Sequence, residues 1–375
     1  MDIDMDARMS MRRRITEHFR EAILTGTLAT GAVIPPARAL AEQFGTREAN
    51  VHQALTPLVK EGLISRRPKT GTVVNALERK LERIAVYVIK DVQHPANNFT
   101  RILLKLIDEE LHNLRIGCLV INENREGSGL VQIRRMAKLR QIQGVIIPAM
   151  WPGSIDELAN LPVPYSCLAA ANIANRVSLF DRSMAECAIR ALKKLHCSKI
   201  GILSSIQDFK SPKNDIEREY QAFYNIFRKL AAAAGLDLRP EWIYTTTRDA
   251  QIGDDDYDVF AYHGFNHIWS AREKPDGLFI CMDDLIRGAL MATLNLKVSV
   301  PGELKLVMHR NQENKILCPL PCTFVETSIA DIARGLISLV VDMFNGKPAK
   351  PIKLGYKVSP FAGDRLKSLH ERGAA

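Results

Sequence analysis

The sequence predicts an α/β protein in two parts: a small helical head that ends in a β-hairpin, and a larger body of two Rossmann-like lobes. Three observations predict this. The first 74 residues hold three short amphipathic helical segments and a hairpin pattern. From residue 84 onward, apolar β-runs alternate with helical stretches. Of the 375 residues, those that give the chain its net charge of +9 are concentrated toward the N-terminal end. A chain this long exceeds one ordinary core. The expected division is a head over 1–74, a short charged linker over 75–83, and a body over 84–375.

The spacing predicts a first helix over Met11–Leu24, with Ile15, Phe19 and Ile23 four apart on one face and Arg12, Arg13, Arg14 and Arg20 elsewhere. Gly26 ends it and Gly31 turns the chain. Pro35 and Pro36 open a second helix over 37–44, since proline is tolerated in a first helical turn. That helix buries Leu40, Ala41 and Phe44. Gly45 supplies its C-terminal cap. Thr46 is the expected N-cap of a third helix, whose apolar stripe is Val51, Ala54, Leu55, Leu58 and Val59. Pro57 lies inside this helix. An interior proline costs about 3 kcal/mol unless the helix kinks, so a bend is expected near Thr56. β-like runs at 63–66 and 72–74 flank a turn at 68–71. Three helices followed by such a hairpin describe a winged helix-turn-helix.

Charge gives this head a partner. Residues 8–83 carry 14 Lys/Arg against 7 Asp/Glu, whereas residues 84–375 carry 37 against 32. That is the footprint of a nucleic-acid-binding module on a near-neutral body. The apolar stripe of the third helix leaves Arg47, Glu48, Asn50, His52 and Gln53 outward. Asn50 can pair with adenine, Glu48 can accept from cytosine N4, and His52 and Gln53 can donate in the same groove. Lys69 and Thr70, at the hairpin tip, would approach phosphate or the minor groove. The alternative for each is a solvated surface side chain.

Residues 15–74 resemble the GntR-type winged helix-turn-helix over their whole length. The resemblance is carried by "AILTG-L", the G-x-x-IP-x-x-R-x-LA segment, Val51, Ala54-Leu55, "EGLISRR" and Gly71-Thr72. The departures fall at base-reading positions. Where the family begins the third helix with Ser-Arg and continues Thr-Thr-Val-Arg, this chain has Arg47-Glu48 and Ala49-Asn50-Val51-His52. The Ser of the family's PS-x-R is Pro36, while its Arg is Arg38, which the resemblance makes a further DNA contact. Glu48 thus implies an altered sequence preference rather than lost binding.

In the body, β-runs at 84–89, 118–121, 144–148, 164–168, 199–205, 276–284 and 304–309 alternate with helical stretches. The latter lie at 97–114, 130–140, 183–195, 212–235, 257–271, 285–294 and 329–346. Such alternation means parallel sheets with crossover helices, and the span suits two lobes. Open α/β sheets bind ligands beyond the carboxyl ends of their strands. Residues that follow strands are therefore effector candidates: Asp91, Asn97 and Phe99, Trp151, Asp181 and Ser183. Carboxylates and guanidinium groups bond vicinal hydroxyls in pairs, and an aromatic face stacks on a sugar.

Over about 84–360 the body resembles the ligand-binding core of the LacI repressor family, which is similar to type I (periplasmic-binding-protein-like) proteins. The ordered landmarks include "GVIIPAMW", "PVPYSCL", "EREYQAF", "KPDGLFICMDDLIRGALMA" and "VSVPGELKLV". By this resemblance Arg218 stands at the Arg of R-x-x-G-(F/Y), though the Gly is Gln221, and Asp283 at the Asp before the A-x-G-A-L helix. Both become effector candidates. Asp181 and Asp283 have a plainer alternative as helix caps. Where the family ends a strand in Gly-Phe-Asp, this chain has Met308-His309-Arg310. A cationic Arg310 at that place leaves room for an anionic effector such as a sugar acid. A GntR head on a LacI-like body looks like the arabinose-repressor type of regulator.

Other classes lack their chemistry. There is no G-x-G-x-x-G after a strand, no G-x-x-x-x-G-K-[ST] and no G-x-S-x-G elbow. His263 and His267 are spaced i, i+4 without the Glu of a zincin. Asp254-Asp255-Asp256 reads as a solvated loop. The seven cysteines are scattered, and Cys318 and Cys322 have no partner pair for zinc, so reduced thiols in a cytoplasmic protein are expected. No apolar run approaches a membrane span, and "MDIDMDARMS" lacks the apolar region of a signal peptide. The expected protein is a non-enzymatic regulator without cofactors. It binds operator DNA and a sugar or sugar-acid effector, and forms a homodimer through the body. The competing reading is a sugar-binding or sugar-modifying protein whose basic head has another role.

Overall fold

A computed structural model describes residues 10–77, 80–89, 98–123, 127–149, 158, 160–169, 173–178, 182–246 and 257–363. The chain divides into two compact units, residues 1–83 with 130–143, and residues 84–129 with 144–375.

The head runs α1 (Met11–Leu24), β1 (Val33–Ile34), α2 (Ala37–Gln43), α3 (Glu48–Lys60), β2 (Ile64–Arg67) and β3 (Gly71–Val74). Ile15, Phe19 and Ile23 are buried as the spacing predicts, together with Leu40, Val51, Ala54, Leu55, Leu58 and Ile64. The three strands form one antiparallel sheet in the order β1-β3-β2. Gly45 takes a left-handed φ of +61°, and the Thr46 amide reaches back to the Ala41 carbonyl at 2.9 Å. This is the glycine-dependent closure of α2.

Three local expectations are corrected. Arg47, not Thr46, occupies the N-cap position of α3, without a side-chain cap. Pro36 stands at the cap of α2 rather than inside its first turn. Val59 is 37 % exposed and Phe44 is half-buried, so neither belongs to the inner core. The helix α3 continues through Pro57 to Lys60. The carbonyl that loses its donor belongs to Gln53, an exposed residue that water can serve, while Ala54, Leu55 and Leu58 remain packed.

The body begins with β4 (Arg83–Val88), α4 (Asn98–Asn113), β5 (Gly117–Asn122), α5 (Ser128–Lys138), β6 (Gly144–Ile147), β7 (Tyr165–Ala169) and β8 (Arg176–Ser178). The second lobe follows with α6 (Arg182–Lys194), β9 (Ile200–Ser204), α7 (Asp215–Ala233), β10 (Ile243–Thr245), α8 (Tyr257–Ser270), β11 (Gly277–Cys281), α9 (Ile286–Asn295), β12 (Lys305–Asn311) and β13 (Cys322–Thr327). The chain then returns to the first lobe as α10 (Ile329–Phe344) and β14 (Ile352–Lys353), and ends in the second as β15 (Lys357–Phe361). The sheet orders are β14-β8-β7-β6-β4-β5 and β10-β9-β11-β12-β13-β15. Pairing along β10-β9-β11-β12-β13 and along β4-β6-β7-β8-β14 is parallel, and β15 lies antiparallel to β13.

The two lobes are thus joined by three crossings: β8 to α6, β13 to α10, and β14 to β15. α10 lies on the first sheet, where Ser166 Oγ donates to the Leu336 carbonyl at 2.7 Å. Gly144 makes this approach possible, because a Cβ there would sit 2.3 Å from Val340 Cγ1. The second lobe buries both faces of its sheet. Phe223, Phe227 and Phe279 pack on one side, and Phe265, Leu278, Ile280 and Phe324 on the other.

Candidate nucleic-acid interface and effector cleft

In the head, α3 stands against α1 through three polar ties at successive levels. Arg12 Nε donates to Asn50 Oδ1 at 3.0 Å, Thr16 Oγ1 to the Ala54 carbonyl at 2.7 Å, and Arg20 to both oxygens of Glu61 at 2.9 and 2.6 Å. Arg38, Arg47, Glu48, His52 and Gln53 are exposed. Arg38, Arg47 and Glu48 also line one open depression at the α2–α3 turn, with Thr46 and Gly45. At the wing tip Lys69 and Thr70 are exposed, and Lys69 holds a left-handed φ of +64°.

Asn50 stands apart from this group. It is half-buried; its Oδ1 accepts from Arg12, and its Nδ2 donates to Thr46 Oγ1 at 2.9 Å. Both polar atoms of its amide are thus tied to protein. The helical spacing places Asn50 at the border of the outward face, and nothing local reveals that a residue 38 positions earlier occupies that border.

In the body, Asp91, Asn97, Trp151 and Asp181 lie outside the described residues, as does the run at 254–256. Phe99 and Ser183 are half-buried in the first turns of α4 and α6. Arg218 lies in the first turn of α7 with its side chain 57 % exposed and pairs with Asp215 of the same turn.

Asp283 is the organising residue of the second lobe's carboxyl end. It is 3 % exposed and does not cap the helix it precedes. Its Oδ2 instead accepts from the Asn311 amide (3.2 Å), Asn311 Nδ2 (2.9 Å) and Asn314 Nδ2 (2.9 Å). Asn314 Oδ1 in turn accepts from Asn98 Nδ2 at 2.8 Å, so the network crosses to the first lobe. Asp283 Oδ1 and both ring nitrogens of His309 are buried without a hydrogen-bond partner among the described residues. Burial holds the His309 pKa below its ordinary value, with Asp283 pulling the other way.

The reading of Arg310 as a free cation is corrected. Its Nε and Nη2 donate to Glu326 Oε1 at 3.1 and 2.5 Å, across neighbouring strands in register. Its guanidinium lies 3.8 Å from the Phe324 ring centroid. Ser359 donates to the other Glu326 oxygen. Burial alone would raise the Glu326 carboxyl, but Ser359 and Arg310 hold it below the usual range. The charge of Arg310 is spent within the sheet.

Sequence reading missed Asn98, Asn311, Glu313 and Asn314. Glu313 accepts from Ser328 Oγ (2.9 Å), the Ile329 amide (2.8 Å) and the Ala330 amide (3.1 Å), and so caps α10 from outside it. Burial would raise its carboxyl, but these donors hold it low. The run "RNQEN", which closes β12 and leaves it, was the available signal, being rich in residues that bond loop backbone.

The cysteines are reduced in this structure, and burial pushes the thiols of Cys167, Cys197 and Cys281 up to about 12. Cys318 and Cys322 lie 3.9 Å apart, sulfur to sulfur. Among the described residues there is no cluster of His, Cys, Asp and Glu fit for a metal ion, and no helix long and apolar enough to cross a membrane.

Comparison with known proteins fits both parts. Residues 11–74 match the model of bacterial regulatory proteins of the gntR family, and residues 189–357 match a periplasmic binding protein-like domain. The HTH-type transcriptional repressor PurR of Mannheimia succiniciproducens is 22 % identical over 152 residues, 40 % of this chain and 41 % of that protein. The HTH-type transcriptional repressor NagR of Bacillus subtilis is 36 % identical over 75 residues, 20 % of this chain and 31 % of its own length. The chain thus spans less than half the length of these relatives. Among solved structures, the Escherichia coli transcriptional repressor ascG superposes with a TM-score of 0.54 at 16 % identity, covering 76 % of this chain and 99 % of that one. A LacI family transcriptional regulator from Bifidobacterium animalis gives 0.58 at 13 % identity, covering 76 % and 98 %. These likenesses establish the fold of the body. The named relatives are regulators rather than enzymes.

Proposed function

We propose that this chain, a gntR-family helix-turn-helix region followed by a periplasmic-binding-protein-like domain, is a transcriptional regulator whose DNA affinity is set by a small molecule held between the lobes of its body. The observation that carries the reading is the pairing of the two parts in one chain. The head exposes Arg38, Arg47, Glu48, His52, Gln53, Lys69 and Thr70 on one small basic unit. The body carries a polar network that bridges its two lobes at the carboxyl ends of the strands. Phosphate contacts by Arg and Lys position such a head, and base edges give it preference.

The finer reading is a cytoplasmic repressor that dimerises through the body and spans two half-sites. Effector binding shifts the lobes toward one arrangement and changes DNA affinity through the linked equilibrium. When the Asn98–Asn314 bond between the lobes opens, it frees an amide donor and an amide acceptor suited to a hydroxyl-rich ligand such as a sugar. With Arg310 neutralised by Glu326, the particular support for a sugar acid falls away, and a neutral sugar is the simpler occupant.

A mobility-shift assay on genomic fragments tests this at 50 mM and 200 mM salt, with and without sugars that raise the chain's thermal unfolding temperature. Retardation that weakens with salt and responds to such a sugar is expected. No retardation of any fragment at the lower salt overturns the regulator reading.

A further inference from the structure

We propose that Arg12 is a DNA-phosphate contact and that Asn50 is its positioning residue rather than a base reader. The inference rests on the DNA-binding reading of the head and names a residue outside the outward face of α3.

Bidentate recognition of adenine needs an amide oxygen and an amide N–H on one open edge. In Asn50 the oxygen accepts from Arg12 Nε and the nitrogen donates to Thr46 Oγ1. One N–H and one oxygen lone pair are left, but both atoms are already tied to protein and the side chain is half-buried, so presenting them together to adenine would require breaking or bending these ties. Asn50 also sits one helical turn before Ala54, on the flank of α3 that α1 covers.

Arg12 has the complementary geometry. It lies in the first turn of α1, exposed, beside exposed Arg13 and Arg14. Asn50 takes only its Nε–H. Among the described residues no acceptor is recorded for its two Nη groups, so the flat end of the guanidinium keeps four N–H for an anion. The helix that carries it is fixed against α3 by the Thr16–Ala54 and Arg20–Glu61 ties. The guanidinium is therefore held beside the first turn of α3 before DNA arrives. A contact on that flank meets the sugar-phosphate backbone bordering the groove, because base edges are reached from the outward face.

The test uses the full-length chain and two probes: a 30-base-pair duplex of mixed sequence, and a randomised duplex pool from which bound sequences are selected. One phosphate contact contributes about 0.9 to the slope of log affinity against log salt, or roughly eightfold in affinity at 0.1 M. Arg12→Ala should reduce the slope by about 1 and leave the selected sequences unchanged. Asn50→Ala should reduce it partly, again without changing the selected sequences. The double variant should bind no more weakly than Arg12→Ala, since Asn50 acts through Arg12. Arg12→Lys, which keeps the charge, should retain most of the slope, and unchanged circular dichroism secures folding. An Arg12→Ala slope equal to wild type, or an Asn50→Ala protein that loses its preference at one base pair, overturns the proposal. A wild-type chain that binds neither probe overturns the DNA-binding reading beneath it, a result distinct from wild-type binding that is indifferent to Arg12.

Discussion

Replacing Asp283 by alanine is the most informative perturbation of the body. Oδ2 of this residue accepts three hydrogen bonds, from the Asn311 amide and the side chains of Asn311 and Asn314. Asn311 is 2 % exposed and Asn314 9 %, so bulk water does not replace the lost acceptor. A buried donor left unsatisfied costs about 1–3 kcal/mol. Three such donors set an upper range near 9 kcal/mol, and two effects reduce it. The Oδ1 atom is itself buried without a partner among the described residues, so removing the carboxylate relieves a desolvation penalty, and the space left can admit water. A net loss of about 3–5 kcal/mol follows, as for other buried ionic networks broken from one side. Asp283→Asn keeps an acceptor where Oδ2 stands but loses the charge, which roughly halves the strength of each bond; about 1–2 kcal/mol is expected. Urea unfolding followed by tryptophan fluorescence reads this out, because Trp242 and Trp269 both lie in the second lobe. An Asp283→Ala protein within 1 kcal/mol of wild type would refute the view that this carboxylate holds the lobe's carboxyl end together.

Three further outcomes follow from packing and linkage. At Gly288 a Cβ would lie 2.0 Å from the Asp258 carbonyl oxygen, so Gly288→Ala must push α8 from α9; a loss of about 3 kcal/mol is expected in calorimetry, and an unchanged melting temperature would contradict the packing. Glu313→Gln weakens the cap on α10 and should cost about 1 kcal/mol at pH 7. Because the folded Glu313 carboxyl is held low, its contribution is complete above the ordinary carboxylate range and disappears as pH falls through the folded value, so wild type and variant should converge in acid; a constant difference down to pH 3 would argue against it. Buried His309 resists protonation when folded, so acidification from pH 7 to 5 should destabilise the wild type by as much as about 1.4 kcal/mol per pH unit. His309→Leu should remove that dependence, and an unchanged slope between pH 7 and 5 would show that His309 is not its source.

The helices were legible because their signal is local. Met11–Leu24 was read residue for residue, and the body helices to within three residues at each end, since a 3.6-residue apolar stripe needs only its own neighbours. The strands missed were β1, β8, β10, β13, β14 and β15, two to six residues long, which exist through pairing with other segments. The same limit explains the site. Glu48, His52 and Gln53 were read as exposed and are. Arg310 was read as a free cation because its partner Glu326 lies 16 residues ahead on the adjoining strand. Asn50 was read as an open amide because Arg12 lies 38 residues behind it. In each case the composition of the site was visible and its internal pairing was not.

The segment Asn311–Asn314 shows why that pairing matters for function. Asn311 and Asn314 bind the buried Asp283 of the second lobe. Asn314 also accepts from Asn98, in the first turn of a first-lobe helix. Between them, Glu313 caps α10 where the chain crosses from β13 to the first lobe. Four consecutive residues therefore touch the floor of one lobe, the rim of the other and one of the three crossings that join them. A ligand that replaces Asn98 as the partner of Asn314 acts on the rim of one lobe and on the floor of the other, since Asn314 and Asn311 share one carboxylate oxygen. A ligand that engages only one lobe has no differential interaction through which to shift the pair. This predicts that Asn314→Ala, by uncoupling floor from rim, leaves ligand binding to a single lobe possible while removing the ligand's effect on DNA affinity. Mobility shifts with the variant and a sugar that still raises its unfolding temperature test this; a variant whose DNA affinity responds to that sugar as the wild type does would place the coupling elsewhere.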